Sequence, residues 1–379
     1  MGMSRPWKDA ATLILAARRG KSPLQLTSQK SPRHIYQDYH LLMLKRSSKS
    51  KFMPSAHVFP GGVLDPADYS EEWMEVFQAA GFTTSTAILE HSAAVRPPLY
   101  KNNYGSIIPN EVALRICAIR ETFEESGILV VKNYEDIFSS PHIELAKTIR
   151  NISSDVAQVS VLEYWQRKVD DSAQNFIGMC KELKIVPDVW ALSEWSDWLT
   201  PTDMAFKVTG PGQNRRYDTM FYIVCTNTVP DTAFCKREMV SSEWYTPDAA
   251  LTQYRKRRIW YAPPQLYELC RLRNFNKILD LQKFAVRRAC FGNERWLPIR
   301  MNCKDGALSI LPQDCLYVED CENNTETPEF EESIEELRTK ATTLHRFEIR
   351  NSSDIQIVCN VQQPFGHVKP LQSFYSSKL

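Results

Sequence analysis

The segment from Pro109 to Gly127 constrains this chain more than any other. Pro109 and Asn110 stand where a helix starts, and Gly127 stands where a helix C′ residue belongs, so residues 111–126 read as one helix. Val112, Ile116, Ile119 and Phe123 fall on one face at spacings that suit a core. Glu121, Glu124 and Glu125 share another face, at i, i+3 and i+4. Like charges at that spacing destabilise an isolated helix by about 0.2–0.5 kcal/mol per pair, so a fold that keeps them must supply a cation. Arg120 reaches Glu124 at i+4. A hard divalent ion, Mg²⁺ for example, takes oxygen ligands and would offset more. A solvated acidic face with an ordinary salt bridge is the other reading, and spacing alone does not separate the two.

Composition narrows the classes. At 379 residues the chain holds roughly two to three domain-sized units, or one enlarged domain with insertions. Hydrophobic residues at 43% and charged residues at 24% exclude wholesale disorder. The formal charge of +1 is far from the basic excess of proteins held to nucleic acid by bulk electrostatics, so no nucleic-acid partner is expected. The apolar run Ala10–Ala17 falls short of the about 20 residues that a bilayer crossing needs, so no membrane span is expected and the run reads as a strand. Ten cysteines are scattered without a CxxC pair, which points to free thiols in a reducing compartment. No HExxH, nucleophile elbow or P-loop occurs.

The last three residues are Ser377, Lys378 and Leu379. A terminal Ser-Lys-Leu is an address read by the peroxisomal import receptor, so a peroxisomal location is expected.

Along the chain, residues 10–17 and 39–45 read as strands, and His57-Val58-Phe59-Pro60-Gly61-Gly62 as a short strand ending in a glycine turn. Residues 65–110 look like an inserted excursion with a helical piece near Glu71 to Ala80. Residues 133–199, rich in Glu, Lys and Trp, read as a second, helical insertion. Met204–Thr209 and Tyr217–Thr226 are expected to form a hairpin about the turn at Gly210–Asn214. Helices are expected from Asp248 and from Pro263 to about Arg273. The basic run Arg255–Arg258 is expected to be a solvated helix end, and the acidic stretch Glu319–Glu336 a solvated loop or surface helix. His57, a lone histidine, is expected to be structural.

Arg120-Glu121-Thr122-Phe123-Glu124-Glu125-Ser126-Gly127-Ile128 resembles the second half of a Nudix box, and Phe59-Pro60-Gly61-Gly62 is similar to the start of its first half. Here an insertion of about 48 residues separates the halves. The resemblance implies that Glu121, Glu124 and Glu125 hold Mg²⁺ or Mn²⁺ and that one of them, or a later glutamate such as Glu238 or Glu243, activates water. It implies that Arg120 orients the carboxylates. Val112 occupies the place of the glutamate that usually partners this arginine, which leaves the partner of Arg120 unassigned.

Leu42-Met43-Leu44-Lys45-Arg46-Ser47, then Lys51, then Phe59-Pro60-Gly61-Gly62, is similar in register to the segment of Nudix enzymes that act on coenzyme A. With Arg115–Glu125 and Arg215–Tyr222, these residues resemble the peroxisomal acyl-coenzyme A diphosphatase branch of the family. The resemblance implies that Arg46, Ser47, Lys51, Phe59, Gly61 and Gly62 contact substrate. The implied fold is α/β, a Nudix α/β/α sandwich with a mixed β-sheet over residues 8–272, with insertions at about 65–110 and 133–199. A C-terminal extension, 273–376, precedes the targeting tripeptide 377–379. The implied reaction is metal-dependent hydrolysis of the diphosphate of coenzyme A and acyl-coenzyme A by a monomer. Another nucleoside diphosphate derivative (NADH, ADP-ribose) as substrate, or a non-catalytic binding scaffold, are the alternatives.

Overall fold

The computed structural model describes residues 6–20, 36–50, 53–84, 89, 95–102, 104–136, 156–201, 216–233, 239–319, 327–351 and 354–371. The first half runs β1 (Trp7–Arg18), β2 (Tyr39–Arg46), β3 (His57–Val58), β4 (Gly61–Val63), α1 (Trp73–Ala79), α2 (Asn110–Ser126), β5 (Val131–Asn133), α3 (Val156–Asp171), α4 (Gln174–Leu183), β6 (Ile185–Pro187) and β7 (Ser193–Leu199). The second half runs β8 (Arg216–Thr226), β9 (Met239–Tyr245), α5 (Pro247–Arg255), α6 (Pro263–Leu272), α7 (Ile278–Ala289), β10 (Arg295–Trp296), β11 (Ile299–Cys303), β12 (Gly306–Ile310), α8 (Ile334–Lys340), β13 (His345–Asn351) and β14 (Asp354–Cys359).

The main sheet has the order β10-β7-β8-β1-β2-β3, with β4 added to β1 and β9 to β2. β1 runs parallel to β8 from Trp7↔Arg216 to Ala17↔Thr226 and antiparallel to β2 and β4, so the sheet is mixed as expected. Both its faces are buried, because side chains alternate along a strand. In β1, Ala11, Leu13 and Leu15 enter one core while Ile14 and Ala16 enter the other. β8 divides likewise, Met220, Tyr222 and Val224 against Phe221, Ile223 and Cys225. The first core is closed by α1, α2, α3 and α4, the second by α5, α6 and α7. The result is the expected sandwich.

One expectation is corrected. Residues 193–199 belong to the main sheet as β7 rather than to the second insertion. Their acidic residues are buried because partners arrive from elsewhere: Glu194 takes Arg96 at 2.8 Å and Arg115 at 3.4 Å. β7 is also the antiparallel partner of β8, the place expected for Met204–Thr209; that segment and the turn at 210–214 lie outside the described residues. The C-terminal extension adds to the main sheet and forms a sheet of its own. β10 joins the main sheet beside β7, and β11-β12-β13-β14 form a four-stranded antiparallel sheet. Phe347, Ile355 and Ile357 of that sheet enter the second core, while Met301, Leu308 and Ile310 meet Ile334 and Leu337 of α8 in a small third core.

The first insertion is stapled to the sheet at its far end. Asp9 Oδ2 on β1 accepts from Asn102 Nδ2 and Tyr104 Oη, both at 2.6 Å, and from Asn110 Nδ2 at 3.3 Å. Its exit is thus held at the start of α2. Arg255–Arg258 are exposed, as expected for a solvated helix end. No helix among the described residues is long and apolar enough to cross a membrane.

Candidate active site

α2 ends where expected. Gly127 adopts a left-handed conformation (φ 68°) and its N–H bonds the Phe123 carbonyl at 2.8 Å. Gln166 of α3 clamps this end, donating to the carbonyls of Glu124 at 2.9 Å and Ala233 at 2.7 Å. Val112, Ile116, Ile119 and Phe123 are fully buried, as their spacing predicts.

The carboxylate face lies against the glycine turn. Gly61 and Gly62 pair with Thr12 and Ala11 of β1. A Cβ on Gly62 would lie 2.3 Å from the Glu121 carboxyl carbon, and one on Gly61 2.4 Å from the Ala11 carbonyl oxygen. At Gly61 a side chain would collide with the β1 backbone, which only glycine avoids; at Gly62 it would push the Glu121 carboxylate aside. Glu125, buried, accepts from the Gly61 N–H at 3.0 Å. Burial and the neighbouring Glu121 push the Glu124 carboxyl up to about 8, against the opposing pull of Arg120.

Arg120 has a partner that the sequence did not reveal. Its Nε and Nη2 bind Asp68 Oδ1 and Oδ2 at 2.7 and 2.8 Å, a bidentate pair in which the two side chains are 4% and 1% exposed. Its Nη1 reaches Glu124 at 2.6 Å, as the i+4 spacing predicts, and Glu121 at 3.0 Å. Asp68 sits in a short 3₁₀ turn over Pro66–Tyr69 that is closed by a capping box between Asp65 and Asp68. The carboxylate sought at position 112, with seven residues between it and Arg120, instead comes from the entrance of the first insertion. Counting forward from Gly62, rather than back from Arg120, was the signal that could have found it.

Glu121 and Gly62 line a cavity of about 510 Å³ among the described residues. Arg46 and Phe59 line it as well, although the Phe59 ring is also part of the second core. Ser47 is not in the lining; its hydroxyl accepts from the Lys49 N–H at 3.2 Å and shapes the turn after β2. Arg46 donates to Ser50 Oγ at 3.0 and 3.2 Å. Lys51, Glu238 and the terminal tripeptide lie outside the described residues. Glu243 on β9 binds the Tyr245 hydroxyl and stands 3.9 Å from His57 Nε2, away from the cavity lining. His57 is buried, and burial lowers its pKa, which suits a neutral structural role. Part of the lining, which the sequence did not suggest, comes from the C-terminal sheet through Arg300, Ser309, Ile349 and Ile355.

A carboxylate helix face held against a glycine turn at the mouth of a cavity, on a mixed sheet between two helical layers, defines a Nudix-type site. The model of the NUDT19 Nudix domain matches residues 7–272, and that of the NUDT19 C-terminal domain matches residues 300–360. The chain belongs to the NUDT19 family of Nudix proteins. It is similar to acyl-coenzyme A diphosphatase NUDT19 of Gallus gallus, 39% identical over 396 residues covering 99% of each chain. It is 38% identical to the Xenopus laevis protein of that name (98% of this chain, 97% of the relative) and 34% to the Homo sapiens one (98% and 96%).

The pair Asp68–Arg120 makes a stability prediction. Asp68→Ala strands a buried guanidinium, and breaking a buried pair from one side costs about 3–5 kcal/mol. Urea unfolding should show a loss of that order. A loss below about 1 kcal/mol would mean that Glu121 and Glu124 alone satisfy Arg120.

Proposed function

We propose that this chain hydrolyses the diphosphate of coenzyme A and acyl-coenzyme A, giving adenosine 3′,5′-bisphosphate and 4′-phosphopantetheine or its acyl form. One water adds across one P–O–P anhydride, so the atoms balance. The observation that carries the reading is the face of Glu121, Glu124 and Glu125 held against the glycine turn, with Glu121 lining the cavity. The family and the names of its relatives as acyl-coenzyme A diphosphatases support the substrate class.

The donor chemistry suits a hard divalent cation, while among the described residues no three ligand-type side chains stand ready-made around one point. The donor set is all carboxylate oxygen, with Glu121 and Glu124 crowded about the one Arg120 guanidinium. Glu121, Glu124 and Glu125 would hold Mg²⁺ or Mn²⁺, which supplies charge neutralisation across diphosphate oxygens and a more acidic bound water. The protein's own groups do the rest. Arg120, fixed by Asp68, orients Glu121 and Glu124. The Gly61 N–H orients Glu125. The bare backbone at Gly61 and Gly62 lets the diphosphate approach the carboxylates without a side chain in the way. Arg46, at the strand end beside the turn, supplies a cation to the polyanion.

Val112 in a glutamate position, with Arg120 left unpartnered, would favour the scaffold alternative. With Asp68 supplying the partner of Arg120, that support is gone. We also place the protein in peroxisomes, on the strength of Ser377-Lys378-Leu379.

Purified protein with coenzyme A and Mg²⁺ or Mn²⁺ should yield the two named products by mass spectrometry. Glu125→Gln should lower kcat about 100-fold or more, beyond the 10–100-fold typical of outer-shell changes at metal sites. Faster cleavage of NADH or ADP-ribose than of coenzyme A would overturn the substrate assignment. A fluorescent fusion that keeps the native C-terminus should colocalise with a peroxisomal marker, and removal of residues 377–379 should disperse it. Unchanged colocalisation would refute the targeting role.

A further inference from the structure

The first turn of α6 forms part of the cavity lining. Its N-cap Ala262, then Pro263, Pro264 and Gln265, line the same cavity as Glu121 and Gly62. The two prolines have no N–H to offer a ligand. Gln265 carries the only hydrogen-bonding side chain of the four. The segment is fixed against the strand that leads into the glycine turn. The His57 N–H donates to the Trp260 carbonyl at 2.9 Å, and His57 and Tyr261 form a parallel bridge. Two residues on, the Phe59 N–H donates to Gln265 Oε1 at 3.1 Å.

That bond orients the amide. A backbone N–H can only donate, so the oxygen faces Phe59, and the nitrogen keeps two N–H groups for another acceptor. Among the described residues no acceptor meets Gln265 Nε2. Gln265 is only 8% exposed and lines the cavity, so this is a nearly buried donor that a bound molecule can satisfy. Its place relative to the carboxylates follows from the chain. Phe59 stands two positions before Gly61, at most about 7 Å along an extended backbone, and the Gly61 N–H holds Glu125. The substrate group that belongs beside Glu121, Glu124 and Glu125 is the diphosphate. A charged oxygen also makes the stronger bond to an N–H, roughly twice that of a neutral acceptor.

We infer that Gln265 contacts the substrate directly, its Nε2 donating to a phosphate oxygen of the diphosphate while its Oε1 stays on the Phe59 N–H. The amide thereby ties the diphosphate to the strand that carries Gly61 and Gly62. The inference deepens the proposed reading of this cavity as a diphosphatase site and rests on it. No bond is made or broken at Gln265; it holds the diphosphate in place for attack.

The test uses Gln265→Glu and Gln265→Met in the full chain. Gln265→Glu keeps an oxygen for the Phe59 N–H and replaces the donor with a negative oxygen, whereas Gln265→Met removes both groups. Two quantities are measured: binding of methylenediphosphonate, a diphosphate mimic that water does not cleave, by titration calorimetry with Mg²⁺, and kcat and KM on coenzyme A. Gln265→Glu should weaken diphosphonate binding about tenfold or more and lower kcat/KM on coenzyme A at least as much, at an unchanged urea midpoint. Gln265→Met should lose affinity as well, and serves if the acidic variant fails to fold. Wild-type affinity in either variant would overturn the inference and leave Gln265 as a brace for Phe59. So would a fall in kcat/KM with unchanged diphosphonate binding, which would put the donor on another part of the substrate. Absence of diphosphonate binding by wild type would overturn it too. Wild type that binds the diphosphonate and leaves coenzyme A uncut would instead sink the parent reading, with the contact to a diphosphate still standing.

Discussion

The bidentate pair between Arg120 and Asp68 joins two stretches of chain separated by 52 positions, and the site depends on it. Arg120 is buried, and a buried guanidinium must be paired. Its pairing to Asp68 draws the turn after β4 onto α2. Once that contact forms, Gly62 lies under Glu121, the Gly61 N–H meets Glu125, and Nη1 is left to hold Glu124 and Glu121. Three carboxylates, those of Asp68, Glu121 and Glu124, are thereby brought around one cation. The residual crowding registers in Glu124, whose proton affinity is raised by burial and by Glu121.

This arrangement explains how the motif survives a long interruption. Loop-closure entropy grows only slowly with length, so an insertion whose ends are fixed costs little more than a short loop. Here the entrance is fixed by the capped turn around Asp65 and Asp68, and the exit by Asp9 with Asn102, Tyr104 and Asn110. The insertion also contributes apolar surface of its own: Trp73, Val76 and Phe77 are buried in the first core. It is part of the packing that holds α2 against the sheet.

The legible parts were those set by local chemistry. The two faces of α2, its glycine stop and the glycine turn could all be read from spacing, and β1 and β2 from their apolar runs. The parts that escaped depend on partners distant in sequence. β7 reads as polar, Ser193-Glu194-Trp195-Ser196-Asp197-Trp198, yet it is a buried strand. Its Glu194 is neutralised by Arg96 and Arg115, and its Asp197 lies beside Asp218 on β8, where burial and that neighbour raise its pKa. Trp195 and Trp198 both donate to the buried Glu268 on α6, at 2.7 and 3.0 Å. Asp68 escaped because the family spacing was counted through an insertion. The C-terminal wall escaped because its strands are short and carry no motif.

The central claim is that the carboxylate face of α2 is a cation site, held open by its contacts to the glycine turn. Titration of the purified protein with Mn²⁺, followed by electron paramagnetic resonance of the free ion, measures this without reference to any substrate. The account predicts saturable binding in wild type that is weakened at least about tenfold in Glu125→Gln and in Glu121→Gln. Equal Mn²⁺ binding in wild type and both variants would contradict it.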